Sequence, residues 1–406
     1  MYYQSHTLEN GLRIVHLPLL SPVSYCGFAV NAGTRDESNH EFGLAHFVEH
    51  MIFKGTSHRR SLHILNRMEN VGGELNAYTA KEETLIYSVF LEEHLGRAIE
   101  LLSDLVLNSC FPQSEIEKEV EVILDEINSY RDNPSELIYD DFENLLFQNH
   151  QLGHNILGDK EDLLNFNSFS GQNFLDRFYC PGNMVFFSMG STPFKKIVSL
   201  VSKNLGSVPG RTSFNKRSSP DDYTPFCKRE SLDTFQTHVL IGNRAYTIYD
   251  KRRTALYLLN NILGGPGMNS RLNISLRERT GYVYTVESSL TSYTDTGVFV
   301  IYFGTDHKNT DKCIQLIQKE LKKFRDKSLT SMQLSMAKKQ LMGQIGVGTD
   351  NRESLALGLG KTFLHCNRYD SMDEIYLRLE MVTASDILAV ANEIFDEKSL
   401  SMLIYD

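Results

Sequence analysis

Residues 111–127, FPQSEIEKEVEVILDEI, match residues 329–345, LTSMQLSMAKKQLMGQI, and this pair is the best-matching part of a repeat that runs through the chain. In the first copy, apolar residues recur with the spacing of a helix that buries one face. Each copy stands at the same place in a similar series of predicted strands and helices. An internal repeat of this kind predicts two domains of similar shape.

The order of the predicted elements decides between fold classes. Strands and helices do not strictly alternate in either half, which favours an antiparallel sheet over a doubly wound parallel one. We therefore predict an α+β fold with two structurally similar domains, each a largely antiparallel sheet with helices packed on it. Residues 207–231 are rich in serine, proline and charged residues and are predicted to link domains at 1–206 and 232–406.

The segment GLAHFVEHMIFKGT, residues 43–56, predicts a helix with two different faces. Its apolar residues form a stripe for a core, while His46, Glu49 and His50 fall on the opposite side. Two histidines four residues apart on one helix face can bind the same metal ion. The second half has ALYLLNNIL at this place, without histidine, so the predicted site belongs to one domain.

A further ligand is predicted on the helix of residues 113–127. Glu119 and Glu126 lie seven residues apart, about 10 Å along a helix axis, so they are not expected to bind the same ion. One is predicted to be a ligand and the other a neighbouring electrostatic partner, and the spacing alone leaves open which is which. The alternative is that both are solvated helix glutamates. Gln344 replaces Glu126 in the repeat, which suggests that the glutamate and the histidines form a linked set.

HFVEH has the H-x-x-E-H pattern of the inverted zinc metallopeptidases. With AGTRDE, GGELNAYTAKEET and the two glutamates seven residues apart, the chain resembles the M16 (pitrilysin) family over essentially its whole length. It is most similar to half-length members related to mitochondrial processing peptidase and its bacterial homologues. The resemblance implies that His46, His50 and Glu126 bind Zn²⁺, that Glu49 is the general base, and that Glu119 is an auxiliary carboxylate.

The same resemblance implies two substrate contacts. Asn76 and Ala77 match the edge strand that pairs with the substrate backbone, although an ordinary buried strand would carry the same residues. In SLRERTGYVYTV, Arg277 and Tyr284 match the pair that anchors substrate carbonyls and stabilises the oxyanion. Tyr282 is an alternative for the tyrosine of this pair, because the Gly-Tyr dipeptide in this segment departs from the commoner sequence of the family.

The resulting hypothesis is a zinc-dependent endopeptidase that cleaves unfolded peptides or short extended segments. The rival hypothesis is a non-catalytic or partner-dependent subunit of an M16 heterodimer, but the full set of site residues on one chain favours activity. Longer M16 enzymes carry four such domains, so the resemblance implies that this two-domain chain pairs, and a homodimer is expected.

Net charge, hydropathy and cysteine content indicate which partners and which cellular compartment to expect. A formal net charge of −10 argues against nucleic acid. No segment approaches the roughly 20 apolar residues of a membrane helix, and the N-terminus lacks a signal-peptide pattern. Six scattered cysteines without C-x-x-C indicate a reducing compartment, so we expect a cytoplasmic protein. A second histidine pair, His150 and His154 in HQLGH, is predicted to lie in a loop without metal.

Overall fold

The computed structural model describes residues 2–213, 217–221, 223–232 and 234–406. The strands are β1 (Gln4–Thr7), β2 (Arg13–Pro18), β3 (Val23–Val30), β4 (Glu74–Thr79), β5 (Thr84–Leu91), β6 (Met184–Gly190), β7 (Cys227–Glu230), β8 (Thr237–Arg244), β9 (Val283–Ser292), β10 (Gly297–Thr305) and β11 (Ser401–Tyr405). The helices are α1 (Leu44–Met51), α2 (Ser61–Glu69), α3 (Leu95–Asn108), α4 (Gln113–Arg131), α5 (Pro134–Leu146), α6 (Lys160–Leu163), α7 (Ser168–Phe178), α8 (Phe194–Leu205), α9 (Arg253–Gly264), α10 (Thr310–Asp326), α11 (Ser331–Gly348), α12 (Arg352–Cys366), α13 (Met372–Met381) and α14 (Ala384–Ile394). Residues Asn273–Glu278 form a π-helical turn. Within these described ranges, no helix is both long enough and apolar enough to cross a membrane.

The chain forms two compact units that are discontinuous in sequence. The first contains Met1–Asn128, His154–Arg217 and Thr349–Ser371, and the second contains Ser129–Gly153, Ser218–Gly348 and Met372–Asp406. This division differs from the predicted contiguous domains 1–206 and 232–406, because α5 belongs to the second unit and α12 to the first. The physical reason is burial: each helix packs its apolar face on the sheet of the unit that it joins.

The sheet of the first unit has the strand order β1-β2-β6-β3-β5-β4. Only the β2–β6 pair is parallel, and the other four pairs are antiparallel. One face packs on α1, α3, α7 and α8 around a core that includes Phe28, Phe47 and Leu102. The other face is covered by α12, whose Leu359 and Phe363 pack against residues of β2, β5 and β6. Strand β4 lies at the edge of this sheet.

The sheet of the second unit has the order β7-β11-β8-β10-β9. Its first pair is parallel and the next three are antiparallel, which repeats the pairing of β2-β6-β3-β5-β4. Helices α9, α10 and α14 pack on one face, and Ile138 and Phe142 of α5 pack on the other. Strand β9 therefore has the edge position that β4 has in the first unit. The predicted class, two similar α+β domains with largely antiparallel sheets, is confirmed.

Candidate active site

Helix α1 has the two faces that its sequence predicts. Phe47, Val48 and Met51 are fully buried in the core of the first unit. His46 is also buried, with 7% of its surface exposed, whereas Glu49 and His50 are partly exposed. The apolar stripe thus anchors the helix, and the two imidazoles and the carboxylate project from its other side.

His46 and His50 meet Glu126 of α4. One ligand atom from each of the three residues lies within 4.8 Å of the other two. Oε2 of Glu126 is 3.7 Å from Nε2 of His46 and 3.6 Å from Nε2 of His50. Two imidazole nitrogens and one carboxylate form a ligand set of the kind found in catalytic zinc sites, which keep a coordination position open.

Glu119 lies on the same helix as Glu126 but contacts the other nitrogen of His50. Its Oε2 is 3.1 Å from Nδ1 of His50, and its Oε1 is 2.5 Å from Nζ of Lys54. A carboxylate that accepts a hydrogen bond from the N–H of one imidazole nitrogen leaves the other nitrogen free to bind a metal ion. The residues present therefore fit a zinc ion, since Glu126 faces Nε2 of both histidines while Glu119 contacts Nδ1 of His50.

The protonation of the site also suits metal binding. Burial, together with the neighbouring His50, lowers the pKa of His46 to about 3, so that its imidazole is neutral near pH 7. Neutral imidazole is the form that binds a metal ion.

Glu49 stands next to this ligand set without belonging to it. Burial raises the pKa of Glu49, the neighbouring Thr79 and the charge of His50 act in the opposite direction, and the net shift is upward. Thr79 is the last residue of β4, so the base candidate sits against the end of the edge strand. A carboxylate with a raised pKa accepts a proton more readily than an ordinary one.

Asn76 and Ala77 both lie in β4. They pair with Tyr87 and Ile86 of β5, and no strand pairs with the other side of β4 within the described residues. Asn76 is exposed and Ala77 is partly buried. Helix α1 packs against β4, so the open strand edge lies beside the helix that carries His46, Glu49 and His50.

Arg277 and Tyr284 come together in the second unit. Arg277 lies in the π-helical turn and Tyr284 in β9, and the guanidinium carbon is 5.7 Å from the centre of the tyrosine ring. Both residues line a cavity of about 470 Å³. Tyr284 is 82% exposed, whereas Tyr282 is partly buried against the core and has Lys312 over its ring. Of the two tyrosines, Tyr284 is therefore the one that shares the cavity with Arg277.

The HQLGH segment lies outside the helices, as predicted. Within the described ranges, the one group of three or more residues that meets the geometric requirement for a metal ion is His46, His50 and Glu126. His154 instead bonds Glu37, a buried residue that the sequence analysis did not single out. The carboxyl group of Glu37 accepts hydrogen bonds from the backbone N–H groups of Gly43 and Ala45 at the start of α1. Glu37 precedes these residues by six and eight positions, and such a separation gives no recognisable capping pattern in the sequence.

Comparisons with known proteins identify the family to which this chain is similar. Residues 19–160 match the family model described as Insulinase (Peptidase family M16), and residues 171–341 match the model described as Peptidase M16 inactive domain. The chain is 32% identical over 401 residues to an uncharacterised zinc protease of Bacillus subtilis, YmxG, covering 98% of this chain and 97% of that protein. It is 33% identical over 398 residues to an uncharacterised zinc protease of Mycobacterium leprae, covering 97% and 89% of the two chains.

Two solved structures share the fold. A protease from Helicobacter pylori superposes with a TM-score of 0.92 at 21% identity, covering 100% of this chain and 99% of that one. A peptidase M16 inactive domain protein from Pseudomonas fluorescens superposes with a TM-score of 0.93 at 18% identity, covering 100% and 98%. With relatives above 30% identity over almost the whole length, and with family models matching both halves, this chain belongs to peptidase family M16.

Proposed function

We propose that this chain is a zinc-dependent endopeptidase that cleaves unfolded peptides or short extended segments. The relatives described above are named zinc proteases, which supports zinc as the metal. The observation that carries the proposal is the convergence of His46, His50 and Glu126 beside Glu49. A non-catalytic subunit would need neither this ligand set nor a carboxylate of raised pKa next to it.

Each site residue of the first unit has a role in this proposal. His46, His50 and Glu126 would hold the zinc ion, and Glu119 would keep the ring of His50 in place. Zinc bound by three protein ligands supplies a Lewis acid that polarises a carbonyl group and lowers the pKa of water to about 7. Glu49 would accept the proton of the attacking water and pass it to the amine that leaves.

The substrate would bind along β4. An extended peptide that adds to an open strand edge gains backbone hydrogen bonds at Asn76 and Ala77 with little demand on its sequence. Arg277 and Tyr284 would contact substrate carbonyls and stabilise the negative charge that develops on the attacked oxygen. A peptide locked into a helix by a covalent staple should therefore resist cleavage, whereas its unstapled counterpart of the same sequence should be cut.

The assembly is also part of the proposal. Two M16 units are present in one chain, and we propose that two chains form a homodimer, with a heterodimer as the alternative. The cytoplasmic location predicted from the cysteine pattern stays a prediction.

The test of the proposed activity is Glu49→Gln. This variant should keep about one zinc per chain, because it removes no ligand, and it should lose peptide hydrolysis by about 10²-fold or more. Glu121→Gln makes the same substitution at an exposed position of α4 outside the ligand set and is the matched control. Cleavage products mapped by mass spectrometry on a peptide library would report activity and specificity together. Glu49→Gln activity within tenfold of the unaltered chain, or no zinc in the purified protein, would refute the proposal.

A further inference from the structure

The start of α1 is held by a buried carboxylate. Glu37 is 2% exposed, its Oε2 accepts from the backbone N–H of Gly43 at 2.9 Å, and its Oε1 accepts from that of Ala45 at 2.7 Å. The first N–H groups of a helix have no partners within the helix. A carboxyl group at this end supplies acceptors for these N–H groups.

His154 completes this arrangement from a separate part of the chain. Its Nε2 is 2.8 Å from Oε2 of Glu37, and its ring stacks on Phe42 with 4.3 Å between the ring centres. Lys81, which is 5% exposed, contacts the carbonyl oxygen of His154. Lys81 lies in the turn between β4 and β5, so the contacts around Glu37 also reach the turn that ends the edge strand.

The position of these contacts matters because α1 is only eight residues long. Ala45, whose N–H bonds Glu37, immediately precedes His46, and His50 follows one turn later. A shift of the first turn would move both imidazoles relative to Glu126, which is supplied by a different helix. A displacement of about 1 Å is enough to impair a site that depends on geometry.

We propose that Glu37 and His154 are positioning residues for the metal centre: their buried pair fixes the start of α1 so that His46 and His50 face Glu126. This inference rests on the proposed zinc function. It adds two residues that lie outside the ligand set and outside β4. It also gives a role to His154, which was predicted to lie in a loop without metal.

The same unit contains a comparable buried pair, formed between α12 and the turn that precedes β5. Nε2 of His365 is 2.9 Å from Oε2 of Glu83, and both side chains are buried. Glu83 lies between β4 and β5, and His365 lies in α12. Breaking this pair should destabilise the unit by removing a similar buried contact, without displacing the metal-binding helix.

The experiment compares the zinc affinity of His154→Phe, His154→Gln and His365→Phe in the full chain, by competition with a chromophoric chelator. Phenylalanine keeps a ring against Phe42 but removes the hydrogen bond, whereas glutamine restores an N–H near the position of Nε2. We expect His154→Phe to weaken zinc binding about tenfold or more, and His154→Gln to recover most of that loss. His365→Phe should lower the melting temperature and leave zinc affinity unchanged. At saturating zinc, His154→Phe should reduce kcat with little change in KM.

Two outcomes would overturn the positioning role alone: zinc affinity of His154→Phe equal to that of the unaltered chain, or an equal loss of affinity in His365→Phe. Should His154→Phe not fold, as judged by far-ultraviolet circular dichroism, the same comparison is made with Glu37→Gln, because this substitution keeps the side-chain shape and replaces one acceptor oxygen with an amide nitrogen. An unaltered chain that binds no zinc would instead refute the proposed function, and the positioning role with it.

Discussion

Oε2 of Glu119 lies 3.1 Å from Nδ1 of His50, while Nε2 of the same ring faces Glu126 at 3.6 Å. The two nitrogens of one imidazole are thus assigned to two glutamates that lie seven residues apart on α4. This arrangement separates the roles of the two carboxylates, since only Glu126 also lies near His46.

The two glutamates should differ in their effect on zinc affinity. In our proposal, Glu126→Gln removes a direct ligand, whereas Glu119→Gln removes a residue that orients a ligand, a change that typically costs about 10–100-fold in metal affinity. We expect the larger loss for Glu126→Gln, measured by zinc titration in the presence of a competing chelator. The reverse order would exchange the two assignments.

The second unit offers a test that separates two neighbouring tyrosines. Tyr284→Phe keeps the ring beside Arg277 and removes the hydroxyl group, and we expect kcat to fall by about 10²-fold if that hydroxyl stabilises the oxyanion. Zinc content should not change, because no metal ligand lies in this unit in our proposal. Tyr282→Phe is the control, since that ring is partly buried against the core. Equal effects of the two substitutions on kcat would contradict the assignment.

The helical periodicity of the sequence predicted which side chains of α1 face the core and which face the candidate site. The apolar stripe of α1 places Phe47 and Met51 inward, and so it also determines that Glu49 and His50 face the other way. The spacing of Glu119 and Glu126 indicated two roles, but it could not assign them. That assignment depends on which nitrogen of His50 each carboxylate contacts. This is a tertiary relationship between α1 and α4, and the sequence of neither helix determines it.

A buried ion-pair cluster predicts a dependence of stability on pH. Glu83 contacts His365 and Lys361. Burial alone would raise the pKa of Glu83, but the hydrogen bond from His365 and the charge of Lys361 outweigh it and lower the pKa from 4.5 to about 2. A carboxyl group whose pKa is lower in the folded state stabilises the fold above its unfolded pKa, and this contribution is lost as the pH falls through the folded value.

The stabilisation by Glu83 should therefore be fully present above pH 4.5 and disappear toward pH 2. The difference between 4.5 and about 2, at 1.36 kcal/mol per pH unit, corresponds to about 3 kcal/mol. We expect Glu83→Gln to lower the melting temperature at pH 7, and the difference from the unaltered chain to shrink below pH 4.5. A difference that stays constant from pH 6 to pH 3 would show that Glu83 acts through packing rather than charge.

The exchange of helices between the units shows a limit of sequence reasoning. The pattern of α12 identifies a helix with an apolar face, but Leu359 and Phe363 would satisfy the same pattern on either sheet. Glu37 is a second case, because irregular backbone separates it from the start of α1, where it accepts hydrogen bonds from residues six and eight positions later in the sequence. Both features depend on tertiary contacts that periodicity does not encode.

The final prediction tests whether, in the proposed homodimer, Arg277 and Tyr284 serve the zinc site of their own chain or that of its partner, and the expected result is worked out for the partner arrangement. Glu49→Gln chains lack the proposed base but keep Arg277 and Tyr284. Chains with Arg277→Ala and Tyr284→Phe keep the base but lack the arginine and the tyrosine hydroxyl group. When equal amounts of the two inactive proteins exchange subunits, half of the dimers are mixed, and each mixed dimer has one intact site out of two. We therefore expect recovery of about a quarter of the unaltered activity.

The matched control mixes Glu49→Gln chains with His46→Ala chains. Both defects lie in the first unit, so every site lacks either its base or a zinc ligand, and no activity should return. Subunit exchange is verified by pulling down one tagged chain with the other. Absence of recovery in the first mixture despite verified exchange would place the complete site within one chain, and a monomer in sedimentation velocity at assay concentration would refute the homodimer itself.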